Sequence, residues 1–564
     1  MPPRVEKRWE IYPPLPPAVD TALSAYPFPV RQLLYNRGIE THEQAEAFLS
    51  GEALLHNPWL LSDIGEAVER LLWGIDHGEQ IIIYGDYDVD GVTASALLYE
   101  ALQALGASHV RVYIPSRFDE GYGLNIAAIE ELAGGGANLI VTVDCGIRSI
   151  DEVAYARQLG LDIIVTDHHH PQSELPPARV VVSPKRPADP YPEKHLAGVG
   201  VVYKLVQALF EQRPVPGVEP TDWLDLVALG TVADVVPLVG ENRGLVRQGI
   251  VQMRQAKRMG LAALARVAGY DLTRVNAEAI GYILGPRLNA SGRLETAMDA
   301  YQLLVARQPE VCAHLAQVLD NRNRERQRLT QEMQRRAEEI IHDPHSRTLL
   351  VVFEEGFNEG IVGLVASRLA EAYYRPAVVG VRGETFSKAS CRSIPEFHIT
   401  EALDQCADLL DRHGGHALAA GFTVRTERLS QLIERLEEVA EQTLRARVLK
   451  PVLRADLEIS LSEMRPDLLV YLQQFEPFGL GNPEATFVSR GVEVRSARQV
   501  GAEGRHLSLK LSDGRFIYDA IAFGQGERLG EVTSRLDVVY SLGVNRYNGQ
   551  ETLQLTLRDF KPAE

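Results

Sequence analysis

Between residues 80 and 183 the chain repeats one pattern five times. Short apolar, β-branched runs, QIIIY (80–84), HVRVYIP (109–115), LIVTV (139–143), LDIIVT (161–166) and RVVVS (179–183), alternate with helix-like stretches such as VTASALLYEALQALG and IDEVAYARQLG. Strands that alternate with helices of this length predict βαβ units and a parallel sheet buried on both faces. Such a sheet binds its ligands outside the carboxyl ends of its strands. The residues just after each run are therefore where chemistry is expected.

Three of those ends carry acids or imidazoles. The first run leads into Asp86, Asp88 and Asp90, with Gly91 opening a helix. The third leads into Asp144-Cys145-Gly146, and the fourth into Asp167-His168-His169-His170. D-x-D-x-D-G also begins an EF-hand loop, but that loop needs a bidentate Glu at its twelfth position. Here the twelfth position is Leu97, so an EF-hand is excluded. Carboxylates converging on one edge repel one another and their pKa values climb. A pair of divalent cations resolves the repulsion, and an oxygen-rich set with imidazole suits Mn²⁺ or Mg²⁺. A fourth acid, Asp234, lies in the apolar stretch DLVALGTVADVVPLVG. It is either a further ligand or a locally hydrogen-bonded residue at a helix end.

Composition narrows the class. The 564 residues carry a net charge of −18, which argues against a protein that coats duplex DNA and leaves room for a metal-dependent enzyme with a local basic groove. Four widely spaced cysteines without a CxxC pair exclude a disulfide scaffold and a cysteine zinc finger, and they fit a reducing, cytoplasmic setting. No apolar run approaches a membrane span and no secretory leader is visible, so no membrane partner is expected.

The rest of the chain divides by texture. Residues 1–60 read as an N-terminal helical cap with a Pro-rich lead-in. Residues 61–300 read as the α/β domain that carries these acids, mainly helical after 222. Residues 301–345 read as one long connecting helix, in which 321–336 has six arginines against two glutamates. That stretch reads as a solvated face or an interdomain strut, with a path for a strand backbone as the less favoured alternative. TLLVVFEE and PAVVGV mark a smaller α/β domain over 346–450. Residues 451–564 alternate in short stretches broken by Gly, Asp and Asn-Gly turns, the pattern of a small antiparallel barrel, an OB-fold.

DYDVDG (86–91), VDCG (143–146), DHH (167–169) and GTVADVVPL (230–238) resemble, in order and spacing, the four motifs of the DHH phosphoesterase superfamily. GPRLNASGRLE (285–295), SKASCRSIPEF (387–397) and GGHALAAGF (414–422) resemble its RecJ branch, single-strand-specific 5′→3′ DNA exonucleases. The last of these resembles the glycine-rich core of the DHH-associated domain. Some family members carry a further C-terminal domain, which this chain is expected to lack. The resemblance implies two bound metal ions, Mn²⁺ or Mg²⁺, held by Asp88, Asp90, Asp144 as the bridging carboxylate, His168 and Asp234. His169 matches the histidine that approaches the substrate phosphate. Some superfamily relatives place a histidine where this chain has Tyr84, so one ion here is expected to have fewer protein ligands. Asp86, Asp167 and His170 are expected to support the ligands rather than to bind.

For substrate, Arg117 near a strand end, and Arg287 and Arg293 flanking a Gly/Asn/Ser loop, are expected to hold phosphate. Ser390, Arg392, Gly414, Gly415 and His416 are expected to grip a terminal 5′-phosphate. Of the barrel aromatics, Phe487, Phe516, Tyr518 and Phe523 are expected mostly in the core. Tyr547, beside the Asn548-Gly549 turn, is the one expected to stack on a base. The expected partners are single-stranded DNA with a 5′ end, a single-strand-binding protein and a helicase, in recombination and repair. Three other readings stand beside this one. A relative acting on short oligonucleotides or cyclic dinucleotides would not need the barrel and the long helix. A non-catalytic scaffold would have lost the carboxylates. A nucleotide-binding module would want a GxGxxG or GxxxxGK[ST] turn, which is absent.

Overall fold

A computed structural model describes residues 5–51, 54–117, 120–121, 123–464, 466–547 and 550–563. They divide into two compact units, Leu54–Leu449 and Glu6–Ala53 together with Lys450–Glu564.

In the first unit, strands β1 (Ile81–Gly85), β2 (Val110–Tyr113), β3 (Leu139–Val143), β4 (Asp162–Thr166) and β5 (Val180–Val182) form a five-stranded sheet in the order β2-β1-β3-β4-β5. All its pairings are parallel. Burial on both faces follows from the β-branched sequence. Ile81 and Ile83 join the core under α1 (Val89–Ala104), while Ile82 and Tyr84 join the core under α2 (Ile126–Gly134) and α3 (Ile150–Gln158). After β1 the chain adds β2 on one side and β3 on the other. The crevice between the ends of β1 and β3 is therefore the topological switch point.

Helices follow, among them α4 (Gly198–Gln212), α5 (Leu224–Ala233) and α6 (Gly285–Leu294). The segment carrying Arg287 and Arg293 is thus the helix α6 and not a loop. Its Gly, Asn and Ser are poor helix formers, but packing of Leu288, Ala290, Ser291 and Gly292 overrides propensity. The connecting helix is also corrected. It is two helices, α7 (Met298–Val305) and α8 (Pro309–Ile341), because Pro309 lacks an N–H and biases the residue before it to extended backbone, as Gln308 is at φ −99° and ψ 124°.

The smaller domain of the same unit is a mixed sheet of β6 (Leu350–Glu354), β7 (Ala377–Val381), β8 (Phe386–Arg392), β9 (Leu410–His416) and β10 (Ala419–Arg425), in the order β9-β10-β8-β7-β6. Only β6 and β7 pair in parallel. Helices α9 (Val362–Tyr373) and α10 (Leu429–Leu444) supply its two apolar layers.

The second unit is a closed five-stranded barrel of β11 (Phe487–Val500), β12 (His506–Ser512), β13 (Ile517–Ala522), β14 (Arg535–Tyr547) and β15 (Gln550–Pro562), with β14 returning to pair β11. The N-terminal residues belong here. Strand Arg8–Ile11 pairs in parallel with Val452–Ala455, and Leu33, Leu34 and Leu49 share the barrel's core. Phe487 and Tyr518 are in that core. Phe516 and Phe523 are not, being 52% and 60% exposed. Phe516 lies in a turn held by Asp513, and Phe523 lies just past the end of β13, so neither has a sheet face to bury against. The side chain of Tyr547 and the Asn548-Gly549 turn lie outside the described residues.

Candidate functional site

The switch point gathers the acids. Asp88 caps α1, its Oδ1 accepting from the N–H groups of Asp90 (2.9 Å) and Gly91 (3.3 Å). Asp90, in the first turn, accepts from two N–H groups at the start of α4, Gly198 at 2.6 Å and Val199 at 2.8 Å. This fixes both oxygens on a helix N-terminus, where a carboxylate is favoured. Asp144 follows β3 with φ 64°, the left-handed region that costs a non-glycine residue energy and recurs at functional sites. A Cβ on Gly198 would stand 2.6 Å from Asp144, so glycine there is a packing requirement. Asp234 ends α5. Asn289 of α6, which no local sequence signal singles out, accepts from the Val89 N–H at 3.2 Å and braces the first motif.

These side chains meet. Nε2 of His168 lies 3.1 Å from Asp144, 3.5 Å from Asp234 and 3.9 Å from Asp90. Three overlapping groups, Asp90–His168–Asp234, Asp86–Asp88–Asp144 and Asp144–His168–His169, each bring one ligand atom per residue within 4.8 Å of the others. Asp86 therefore stands with the acids, although the resemblance gives it only a supporting role. Tyr84 turns away: its hydroxyl donates to the carbonyl of Gly123 at 3.0 Å and accepts from Asn125. Asp167 supports, as expected, accepting from the N–H groups of Ile147, His168 and His169 and from the His169 ring at 2.8 Å.

Charge explains what the cluster can bind. Burial, then Asp88, pushes Asp90 up to about 7. Burial, then Asp90 and Asp88, pushes Asp234 up to about 9. Asp86 and Asp144 are likewise driven well above the carboxylate range by burial and then by neighbouring aspartates. His168 is depressed to about 3 by burial and by His169, so its ring is neutral, the form that binds a metal. Oδ1 of Asp86 is buried with no hydrogen-bond partner among the described residues. Clustered acids, a neutral imidazole and an orphaned oxygen fit a hard divalent cation. Cys145 adds no thiolate, since burial raises its thiol and Sγ lies 3.7 Å from the carbonyl of Tyr84.

His169 behaves in the opposite way. Burial pulls it down, but the hydrogen bond to Asp167 and the charges of Asp167, Asp86 and Asp88 outweigh burial and raise it. Asp167 in turn falls to about 2, because His169 overrides the upward pull of its own burial.

A basic wall adjoins the acids. The Arg117 guanidinium lies 4.2 Å from the ring centre of Tyr87. Arg293 donates to the carbonyl of Gly360 in the smaller domain at 3.2 Å. Burial, then the charges of Arg117, Arg326 and Arg392, lowers Arg293 to about 10. A Cβ on Gly363, in the first turn of α9, would stand 3.4 Å from both Arg392 Nη2 and Ser390 Oγ, so a helix start adjoins that pair. Arg287 differs from expectation: its guanidinium is bound to buried Asp320 at 2.9 Å and to the carbonyl of Ile283 at 2.7 Å. Gly414, Gly415 and His416 lie on the exposed strand β9. His416 comes close enough to His170 to help lower its pKa, after burial and Lys185. Lys185 is missing from the residues expected at the site, yet it acts electrostatically on Asp234 and Asp167. The available signal is its place just beyond the fifth strand.

Family models match the chain in three places: the DHH family N-terminal domain over residues 80–231, the DHHA1 domain over 346–442 and the RecJ OB domain over 455–559. The fold and the acid–imidazole site thus define a DHH phosphoesterase. The single-stranded-DNA-specific exonuclease RecJ of Bacillus subtilis strain 168 is 38% identical over 541 residues, covering 95% of this chain and 68% of that protein. The crystal structure of RecJ in complex with Mn²⁺ from Thermus thermophilus superposes with a TM-score of 0.85 at 31% identity, covering 99% of this chain and 80% of that one. A second structure of the Thermus protein, in complex with Mg²⁺, gives 0.79 at 30% identity, covering 99% and 79%. The chain belongs to the RecJ family.

Proposed function

We propose that the chain is a single-stranded-DNA-specific 5′→3′ exonuclease that releases 5′-mononucleotides in recombination and repair. The observation that carries the reading is the convergence of Asp86, Asp88, Asp90, Asp144, His168 and Asp234 at the switch point. Asp88, Asp90, Asp144, His168 and Asp234 would hold two Mn²⁺ or Mg²⁺ ions. When bound, such ions lower the pKa of water and stabilise the oxygens of an in-line displacement.

The protein's own groups do the rest. Asp90 is oriented by the start of α4, and Asp167 orients the His169 ring and favours its protonated form. His169 binds the scissile phosphate and donates a proton as charge builds on it. Arg117 and Arg293 hold the phosphate that is attacked. Ser390 and Arg392, beside the start of α9, together with Gly414, Gly415 and His416, hold the 5′-terminal phosphate. Water supplies the new oxygen, and the 3′ oxygen of the terminal nucleotide leaves. The attacked phosphate remains as the new 5′ end.

In this reading residues 61–300 carry the chemistry, 346–450 hold the 5′ end and the barrel of 451–564 holds the trailing strand. A single-strand-binding protein and a helicase present the substrate. A cytoplasmic setting accords with four free, buried cysteines, and no helix among the described residues is long and apolar enough to cross a membrane. The test is digestion of a long single strand labelled at either end, with Mn²⁺, by the wild type and by Asp144→Ala. The 5′ label leaves first as mononucleotide and the variant is inactive. Release from the 3′ end first, or an active variant, refutes the assignment.

A further inference from the structure

Helix α8 carries six arginines between residues 321 and 336, and the structure sorts them. Arg322 is bound to Glu295 and Asp299, Arg324 to Asp320, Arg328 to Glu325 and Glu332, and Arg336 to Glu354 and Glu339. Arg335 is exposed. Arg326 is the exception. It is half-buried, it has no carboxylate partner among the described residues, and its Nε is buried without a hydrogen-bond acceptor. The charges that bear on it are cations. Burial lowers its pKa, and so do Arg368 and Arg287, while Arg326 itself lowers that of Arg293.

Withdrawing a guanidinium from water without a partner is costly, and placing it among like charges adds to the cost. The neighbouring arginines do not share the problem equally. Arg287 has Asp320, and Arg368 has Gln334 at 3.4 Å. Arg293 has the carbonyl of Gly360, and the charges of Arg117, Arg326 and Arg392 all act on it. Guanidiniums gathered within electrostatic reach of Arg293, one of them with a buried Nε that no described residue accepts from, match an oxyanion with several acceptor oxygens.

We propose that Arg326, acting beside Arg293, binds a phosphate group of the nucleic-acid strand, so that α8 is part of the substrate site as well as a connector. The proposal rests on the nuclease reading above for the identity of the anion. The phosphate is either the 5′-terminal group or an internal phosphodiester, and the two are separable.

The experiment measures binding of single-stranded oligonucleotides, with a 5′-phosphate or a 5′-hydroxyl, to the full chain in chelator over a range of salt. Arg326→Gln weakens binding about tenfold or more, the scale of one charge-assisted hydrogen bond, and reduces the salt slope by about 0.7. Arg326→Lys keeps the charge and restores the slope, which guards against a folding defect in the glutamine variant. Arg335→Gln leaves both quantities unchanged. Loss confined to the 5′-phosphorylated strand assigns the terminal group, and equal loss for both strands assigns an internal one. Wild-type affinity and slope in Arg326→Gln overturn the proposal, even if the wild type digests single strands. A wild type that binds but does not digest overturns the nuclease reading and leaves the anion site standing.

Discussion

The acid cluster at the switch point and the arginines that act on it and on one another are two versions of one arrangement with opposite sign. Each places like charges in a partly dry setting, and each distorts the protonation of its own members. Asp90 and Asp234 rise to about 7 and about 9, while Arg293 falls to about 10. Neither is stable chemistry alone. A cation would complete the first, and on the proposed reading a phosphodiester would complete the second. The difference lies in anchoring. Asp88 and Asp90 are fixed by backbone N–H groups of two helix starts, whereas Arg117 and Arg326 each keep a buried Nε without a hydrogen-bond partner among the described residues. The acids are set for geometry, and the arginines for capture.

This contrast predicts that acid variants damage turnover and arginine variants damage binding. The largest effects belong to the acid side. Asp144→Asn lowers kcat by about three orders of magnitude, the scale of losing one preorganised charged group, while circular dichroism stays native. His169→Ala lowers kcat by about 10²–10⁴. Asp167→Asn lowers kcat less and moves the alkaline limb of the pH profile to lower pH, because the hydrogen bond and charge of Asp167 raise the pKa of His169. Next comes the basic side: Arg392→Ala raises KM about 10–100-fold with little change in kcat. A kcat effect from Arg392, or a pure KM effect from Asp144, would break the contrast.

Metal removal gives a stability reading of the same cluster. The folded-state pKa values of Asp90 and Asp234 lie above the unfolded ones. Their contribution is thus fully present below about pH 4 and is lost as pH rises through about 7 and about 9. Chelated protein should lose about 5 °C or more in Tm between mildly acid and mildly alkaline pH. Mn²⁺ should abolish most of that slope, whereas a flat profile in chelator would show that the acids are not the strained element. The smallest effect is expected outside both clusters. Phe523→Ala in the barrel should weaken long-strand binding by about tenfold or less, with cleavage of short oligonucleotides unchanged.

Much of the site was legible because a parallel sheet announces itself twice, in β-branched runs and in the residues that follow them. Asp88, Asp90, Asp144, His168 and His169 all sit where the strand-end rule puts them. What was illegible depends on packing between distant segments. Nothing local to Lys185 or Asn289 says which acid or helix start it will meet. Arg287 and Arg326 look alike in sequence, and only the position of Asp320 decides which is satisfied. The segment holding Arg287 and Arg293 reads as a loop because its glycines and Asn289 favour turns, yet contacts with neighbouring helices wind it. Pro309, by contrast, is a visible break in a stripe that otherwise reads as continuous helix.

The strand at Arg8–Ile11 finds its partner at Val452–Ala455, so residues 12–451 intervene in sequence between the two halves of one small pairing. During synthesis the catalytic part emerges whole, while the first fifty residues wait for the last hundred. Until those are made, Leu33, Leu34 and the strand at Arg8–Ile11 lack the partners that cover them in the folded protein, and bare apolar side chains and strand edges are where nascent chains associate wrongly.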